Sequence, residues 1–373
     1  MNTIDFRRHL HRNPEPALAE QATMAFISEQ LDALSIEHCP IARTGILARI
    51  EGRRGNAKRC VVLRASIGAD AVCELTGAEW ASQQQGVMHS HGGDCNAAVL
   101  FGVLKRLQAN RDFEGTLLAL FQPGGGDCVE GAKAVLEENP FADYDVAAVV
   151  AQCLDSDLDL GRLGFCPGKF IPSLDRMRFV VKGGNSVVAA ADLILRIDAF
   201  RSDVCAVTTC SVRTCGKEDC SPERVTIEGT MRVLNEGLRS RLKEMIAHAA
   251  EEIDYKYDVE IDTEIEDCVP CVDNNPHLSY EAMLLADSLG FEVEDLEERT
   301  SIDDFGCYAQ RYPSLLYSVG VGRESGSVGS AMFLPDERAL EVGEEFMTEL
   351  ALSMLNKKDE TGCKTWLTSR RSR

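Results

Sequence analysis

The sequence contains no apolar run approaching the roughly 18 residues that a membrane-spanning helix needs, so an integral membrane protein and a membrane partner are not expected. Met1-Asn-Thr-Ile-Asp-Phe-Arg-Arg8 is followed by no apolar stretch, which gives no secretory leader and predicts a cytoplasmic location. Basic clusters are missing as well. The 39 Lys and Arg residues face 60 Asp and Glu, for a net charge of -21, and phosphate backbones are bound by clustered cations that displace counterions. Nucleic acid is therefore excluded as an expected partner. Internal repeats and low-complexity tracts are also absent.

What is present suits a large globular protein. A chain of 373 residues exceeds what one hydrophobic core usually supports, and its 45% hydrophobic content leaves ample material for two domains. Fifteen cysteines in a leaderless chain of this size are expected to stay reduced and to act mostly as small buried hydrophobes. Cys205, Cys210, Cys215 and Cys220 recur every five residues, which places neighbours on opposite faces of a strand and argues for packing over metal binding. Cys268-Val-Pro-Cys271 has the spacing of a zinc knuckle or redox pair, but it opens no helix and has no second knuckle, so packing is again the expectation.

Hydrophobic periodicity predicts helices over 20–34, 94–107 and 131–138, alternating with strands over 47–51, 59–65, 115–121 and 146–152. Such alternation implies an α/β fold with a mostly parallel sheet covered by helices. Between 173 and 274 the pattern changes to strand, helix, two strands, helix and strand, an α+β insertion. The first pattern then resumes with helices at 276–288, 302–312 and 337–355 and a strand at 314–319. The expected division is 1–172 with 275–356 as one discontinuous domain, 173–274 as a second, shortened one, and 357–373 as a disordered tail.

Two segments carry the shape of an active site: Gly86-Val-Met-His-Ser-His-Gly-Gly-Asp-Cys-Asn96 and Phe121-Gln-Pro-Gly-Gly-Gly-Asp127. From Phe6 to Leu355 the chain resembles the zinc- or manganese-dependent amidohydrolase and peptidase family of N-acyl-amino-acid amidohydrolases, hippurate hydrolase, N-acetyldiaminopimelate deacetylase and auxin-conjugate hydrolases. The resemblance implies a zinc-exopeptidase-like domain carrying a lid and dimerisation insert. In that family the first segment reads Gly-Val-Met-His-Ala-Cys-Gly-His-Asp, its Cys and second His being metal ligands; here those positions are His91 and Gly93. The second reads Phe-Gln-Pro-(Ala or Gly)-Glu-Glu, general base then ligand, and here both are glycine, Gly125 and Gly126. The two remaining ligand histidines align with Cys153 and Gly329. The family's Arg-Ala-Asp-Met-Asp-Ala becomes Arg64-Ala-Ser-Ile-Gly-Ala69, which removes two carboxylates at Ser66 and Gly68 that would orient ligands. Carboxylates crowded without a cation repel one another, so losing them together has a physical logic.

The insert departs in step. Where the family has a Gly-Gly-His whose His is thought to reach the partner's active site as an oxyanion donor, this chain has Gly183-Gly-Asn185, and residues that follow in the family are missing. A later lid Asn is replaced within Cys220-Ser-Pro222, while Arg232, which sits near the substrate carboxylate in the family, is retained. Arg232 reads either as a carboxylate-binding group for an anionic small molecule or as a strand-end surface Arg.

The resemblance therefore implies a family member without an intact catalytic group at position 125. The favoured expectation is a protein inactive as a di-metal hydrolase, with no cofactor, that binds a small amino-acid-like molecule in a cleft marked by His89, His91, Asp94, Cys95, Cys153, Asn185 and Arg232, or that pairs with an active paralogue. His89 and His91 read as a residual metal or base pair or, preferably, as a hydrogen-bonded structural pair. The alternative is an active amidohydrolase or deacylase of N-acyl amino acids with a rebuilt site: one Zn or Mn on His91 and Cys153 with Asp94, Cys95, Asp127 or Cys128 nearby, or a thiol nucleophile at Cys95, Cys128 or Cys153. A homodimer or a heterodimer is expected from the resemblance alone.

Overall fold

Two sheets with separate apolar cores organise the chain in a computed structural model that describes residues 1–125, 128–215 and 223–357. The strands are β1 (Glu37–Ile41), β2 (Gly45–Glu51), β3 (Arg59–Ser66), β4 (Thr116–Gln122), β5 (Asp145–Asp155), β6 (Leu163–Phe165), β7 (Gly168–Ile171), β8 (Leu174–Lys182), β9 (Cys205–Cys215), β10 (Arg224–Val233), β11 (Glu260–Val269), β12 (Val272–Asn274), β13 (Val293–Asp295) and β14 (Ser314–Gly320). The helices are α1 (Thr3–Arg12), α2 (Gln21–Ala33), α3 (Gly93–Ala109), α4 (Gly131–Glu137), α5 (Ser186–Asp198), α6 (Glu236–Tyr257), α7 (Pro276–Ser288), α8 (Gly306–Ala309) and α9 (Arg338–Leu355).

The larger sheet runs β1-β2-β4-β3-β5-β14-β6-β13. Its centre, β4-β3-β5-β14, is parallel, and antiparallel pairing is confined to β1–β2, β2–β4 and β6–β14. Every residue of β4 and β14 is buried, as continuous apolar strands must be when helices cover both faces. On one face Phe6 of α1, Phe101 of α3 and Phe346 and Leu350 of α9 close one core; on the other Val135 of α4 and Tyr308 of α8 close a second. Among the described residues no helix is long and apolar enough to cross a membrane.

The smaller sheet, β11-β8-β10-β9, is antiparallel throughout and has its own core, in which Met177, Phe179 and Val181 of β8 meet Leu193 of α5 and Ile246 of α6. Arg239 of α6 grips Asp175 of β8 through two bonds of 2.8 Å, both groups buried. Such bidentate pairs add geometric specificity to a helix–sheet contact.

The mostly parallel α/β sheet with a second sheet inserted is thus the fold. Two local expectations fail. The helix expected at 302–312 shrinks to Gly306–Ala309 because Asp303 and Asp304 are used otherwise: Asp303 accepts the Phe305 amide at 2.9 Å and Asp304 turns inward toward Arg64. The last strand of the insert, which the sequence pattern puts at 258–263, instead spans Glu260–Val269, since Asp258 closes α6 in a left-handed conformation with φ 50°. Gly126, Asp127, Cys220 and the tail after Lys357 lie outside the described residues.

Candidate functional site

A cavity of about 650 Å³ opens where β3, β4 and β5 end, bounded by Ser66, Gly125 and Cys153–Asp155 on the strand side and by the 298–304 segment opposite. Carboxyl ends of parallel strands are where open α/β sheets bind ligands, because the loops there diverge. A larger groove of about 1010 Å³ runs past Trp80, Arg323 and Glu341, but it contains none of the active-site positions read from the sequence, and the strand-end cleft is the functional candidate.

The glycines at the positions where the family carries active-site side chains are packed against, and of them Gly125 lines the cavity. A Cβ on Gly125 would lie 2.6 Å from the Ser66 Oγ, and the residue has φ +112°, which L side chains rarely adopt. A Cβ on Gly329 would meet His91 Nε2 at 3.1 Å. One on Gly93 would stand 3.2 Å from the Ser66 carbonyl and 3.3 Å from His89 Nδ1. At Gly68 the neighbouring space holds the Glu20 carboxylate, 2.8 Å from where a Cβ would be.

His91 lines the cleft, and its Nδ1 is 2.9 Å from Asp70 Oδ2, which also accepts from the Ser90 hydroxyl at 2.7 Å. Burial tends to raise the Asp70 carboxyl, but the His91 and Ser90 hydrogen bonds outweigh it and hold the group below the usual carboxylate range. Cys153 also lines the cleft, with its Sγ 3.3 Å from the Ser318 hydroxyl. Burial pushes its thiol up despite nearby Arg299. Cys95 and Cys128 are pushed up by burial as well, so none of the three has the lowered pKa of a thiol nucleophile.

The cations of the cleft are already engaged. Arg64 reaches Gln122 Oε1 at 3.0 Å and pairs with Asp304, with Asp303 at 3.4 Å. Arg299 pairs with Asp155 and lies over the Phe170 ring at 5.3 Å. Arg232 donates to the Thr300 carbonyl at 2.6 Å, joining the inserted sheet to the cleft wall. It does not line the cavity.

His89, Asp94 and Cys95 belong elsewhere. Asp94 is in the first turn of α3, favoured by the helix dipole, and is enclosed behind the cleft by Arg7 Nε at 2.8 Å and His11 Nδ1 at 2.9 Å. Burial alone would raise Asp94, yet Arg7 and His11 hold it well below the carboxylate range. Burial lowers the pKa of His89 and so favours its neutral form. Asn185 is exposed at the start of α5 and reaches the Tyr257 carbonyl at 3.5 Å. Of the seven residues assigned to the cleft, the structure brings only His91 and Cys153 to it. Cys268 and Cys271 are buried, Cys271 with its thiol pushed up to about 12 by burial and Glu236, which is unlike a redox pair.

Residues 69–353 match the sequence profile of peptidase family M20/M25/M40. The chain belongs to this family. It is 28% identical over 375 residues to the N-acetylcysteine deacetylase of Bacillus subtilis, covering 94% of this chain and 96% of that one. With the N-acetyldiaminopimelate deacetylase of Bacillus pumilus it shares 25% identity, over 92% and 96% of the two chains. The crystal structure of the Bacillus subtilis YXEP protein, a dinuclear metal-binding peptidase of the M20 family, superposes with a TM-score of 0.87 at 27% identity, covering 95% of this chain and 97% of that one.

The expectation of no cofactor, or of a single Zn or Mn, is corrected by that last comparison: the relative whose fold this chain shares is a dinuclear metal-binding peptidase, and missing ligands in a sequence do not establish a metal-free family member. The side chains described here nevertheless do not fit such a pair of ions. Among the described residues no three His, Cys, Asp or Glu side chains converge to hold an ion, and the space beside positions 68, 93, 125 and 329 is occupied by protein atoms.

Asp70, Glu20, Arg299 and the Asp303–Asp304 pair were not singled out from the sequence. Asp70 closes the Arg64–Asp70 segment and was the nearest to being found; the others become neighbours only through the fold. Replacing Asp94 with Asn should cost roughly 3–5 kcal/mol, the usual consequence of stripping one partner from a buried ion pair. Because the Asp94 pKa is depressed on folding, its contribution is present above about pH 4 and is lost as pH falls further. Urea titrations from pH 3 to 7 should therefore show a flatter acid limb for Asp94→Asn; an unchanged stability would contradict the buried pair.

Proposed function

We propose that this family member holds a small amino-acid-like molecule in the strand-end cleft without hydrolysing it by the two-metal route of its relatives. The observation that carries this reading is an open cavity whose glycine at the family's base position, Gly125, is packed on Ser66. A hydrolase needs a group to take a proton from the attacking water, and a glutamate at 125 has no room in this arrangement. The raised thiols of Cys95, Cys128 and Cys153 speak against nucleophilic substitution by sulfur.

A second reading, deacylation of N-acyl amino acids by a rebuilt site, is favoured by the names of the curated relatives, N-acetylcysteine and N-acetyldiaminopimelate deacetylases. The two readings separate in one experiment: calorimetric titration of tag-free protein with N-acetylcysteine and N-acetyldiaminopimelate, beside detection of released amine with zinc, manganese, cobalt or nickel present. Saturable binding of N-acetyldiaminopimelate, which carries a free ammonium group, without release of amine is the expected outcome. Amine release above an Asp70→Asn, His91→Ala control would replace the first reading with the second.

The inserted sheet is proposed as the surface for self-association or for pairing with a paralogue. Among the described residues it leaves β9 as an edge strand and exposes Val188 at 56% and Leu195 at 71% on α5. Sedimentation should show a dimer that Leu195→Glu dissociates; a monomer at all concentrations would reject self-association.

A further inference from the structure

The charge of the cleft specifies which molecule it prefers, an inference that rests on the cleft being a ligand site. Among its described lining residues five carboxylates, those of Asp155, Asp157, Glu298, Asp303 and Asp304, face two guanidinium groups. Arg299 is spent on Asp155 and on the face of Phe170. Arg64 serves Gln122 and two carboxylates at once. The Arg232 side chain, which the sequence left open as either a carboxylate-binding group or a strand-end surface Arg, is bonded to the Thr300 carbonyl outside the cavity.

Asp155 is neutralised by Arg299, Asp157 and Glu298 are exposed at the rim, and within the cavity one unbalanced negative charge belongs to the Asp303–Asp304 pair, which shares Arg64. Asp304 is enclosed, its Oδ2 accepting Gln122 Nε2 and the Ala132 amide, each at 2.8 Å. Asp303 stands 3.4 Å from Arg64 with a side chain 21% exposed, so it is the member that an incoming molecule can meet. Burial and the neighbouring Asp303 raise the Asp304 carboxyl although Arg64 opposes them, as expected where two carboxylates share one guanidinium. An entering carboxylate would have to displace an existing ion pair to find a cation, and a charge taken out of water without a partner is strongly disfavoured. An entering cationic nitrogen finds a partner already in place.

We propose that this cleft selects small molecules presenting a cationic nitrogen, an ammonium or a guanidinium, to Asp303, and discriminates against a carboxylate at the same place. The family scaffold supplies the cavity, and the paired arginines set the sign of the charge it accepts.

Calorimetric titration with three ligands matched in backbone tests this: the methyl amides of Nα-acetyllysine, Nα-acetylnorleucine and Nα-acetylglutamate, each run on protein as purified and with added manganese. The lysine derivative should bind at least tenfold more tightly than the norleucine one, and the glutamate derivative most weakly. Asp303→Asn, which keeps an oxygen for the Phe305 amide, should remove the advantage of the lysine derivative over the norleucine one; an advantage that persists would overturn the role of Asp303. Glutamate binding as tightly as lysine, with or without manganese, would overturn the charge preference while leaving the ligand cleft standing. Failure of all three to bind would overturn the cleft as a ligand site, and this inference with it.

Discussion

Three loops diverge where the parallel strands end, and something must hold them together. In this chain the loop after β4 is tied to the α1–α2 and β1–β2 connections by the carboxylate of Glu20, fully buried, which accepts the Gly124 amide at 2.6 Å, the Leu18 amide at 2.8 Å and the Thr44 hydroxyl at 2.6 Å. Charge-assisted bonds of this kind are about twice as strong as neutral ones, and the one to Gly124 satisfies a buried donor beside the cleft. Glu20 takes up the space beside Gly68, just as Ser66 takes up that beside Gly125 and the His91 ring that beside Gly329. The positions at which the family presents side chains are filled by the chain itself.

The charges around the cleft follow from the same packing. Arg7, His11 and Asp94 form a buried group behind the first loop, Arg64 and Asp304 a second beneath the third, and Arg299 with Asp155 a bridge across the mouth. Each draws partners from distant parts of the chain, which locks elements together at the expense of leaving few free cations. That arrangement favours a binding cleft with fixed walls and a negative floor. The Arg232–Thr300 contact extends the same logic to the inserted sheet, tying it to the wall that faces the strand ends.

Much of this was legible in the sequence. The apolar runs that became β3, β4, β5 and β14, and the periodic segments that became α2, α3, α7 and α9, are long and regular enough to read from spacing alone. Short strands such as β6 and the edge strand β13, three residues each, carry no periodicity to detect. Helix α1 had a signal that was passed over: Asn2 caps it by accepting the Asp5 amide at 2.7 Å, and Phe6 and Leu10 are spaced for one buried face. For the cleft, resemblance identified which positions had changed, and His91 and Cys153 do reach it. It could not reveal that Asp94 and Cys95 face the back of the first loop, since their neighbours Arg7 and His11 are over 80 residues away in sequence. Nor did missing ligands justify expecting no cofactor in a fold shared with a dinuclear metal-binding peptidase.

The filling of vacated positions by the chain itself is tested most directly by a double-mutant cycle between residues 66 and 125. Stability would be measured by urea unfolding for the parent, Gly125→Ala, Ser66→Gly and the double variant. A side chain at 125 is opposed both by its φ and by Ser66, so Gly125→Ala should cost more than about 1 kcal/mol, and Ser66→Gly should recover the part due to contact, giving a coupling of roughly 0.5–3 kcal/mol. A cycle with no coupling, or a Gly125→Ala variant as stable as the parent, would mean that the space beside position 125 is open and would contradict the account.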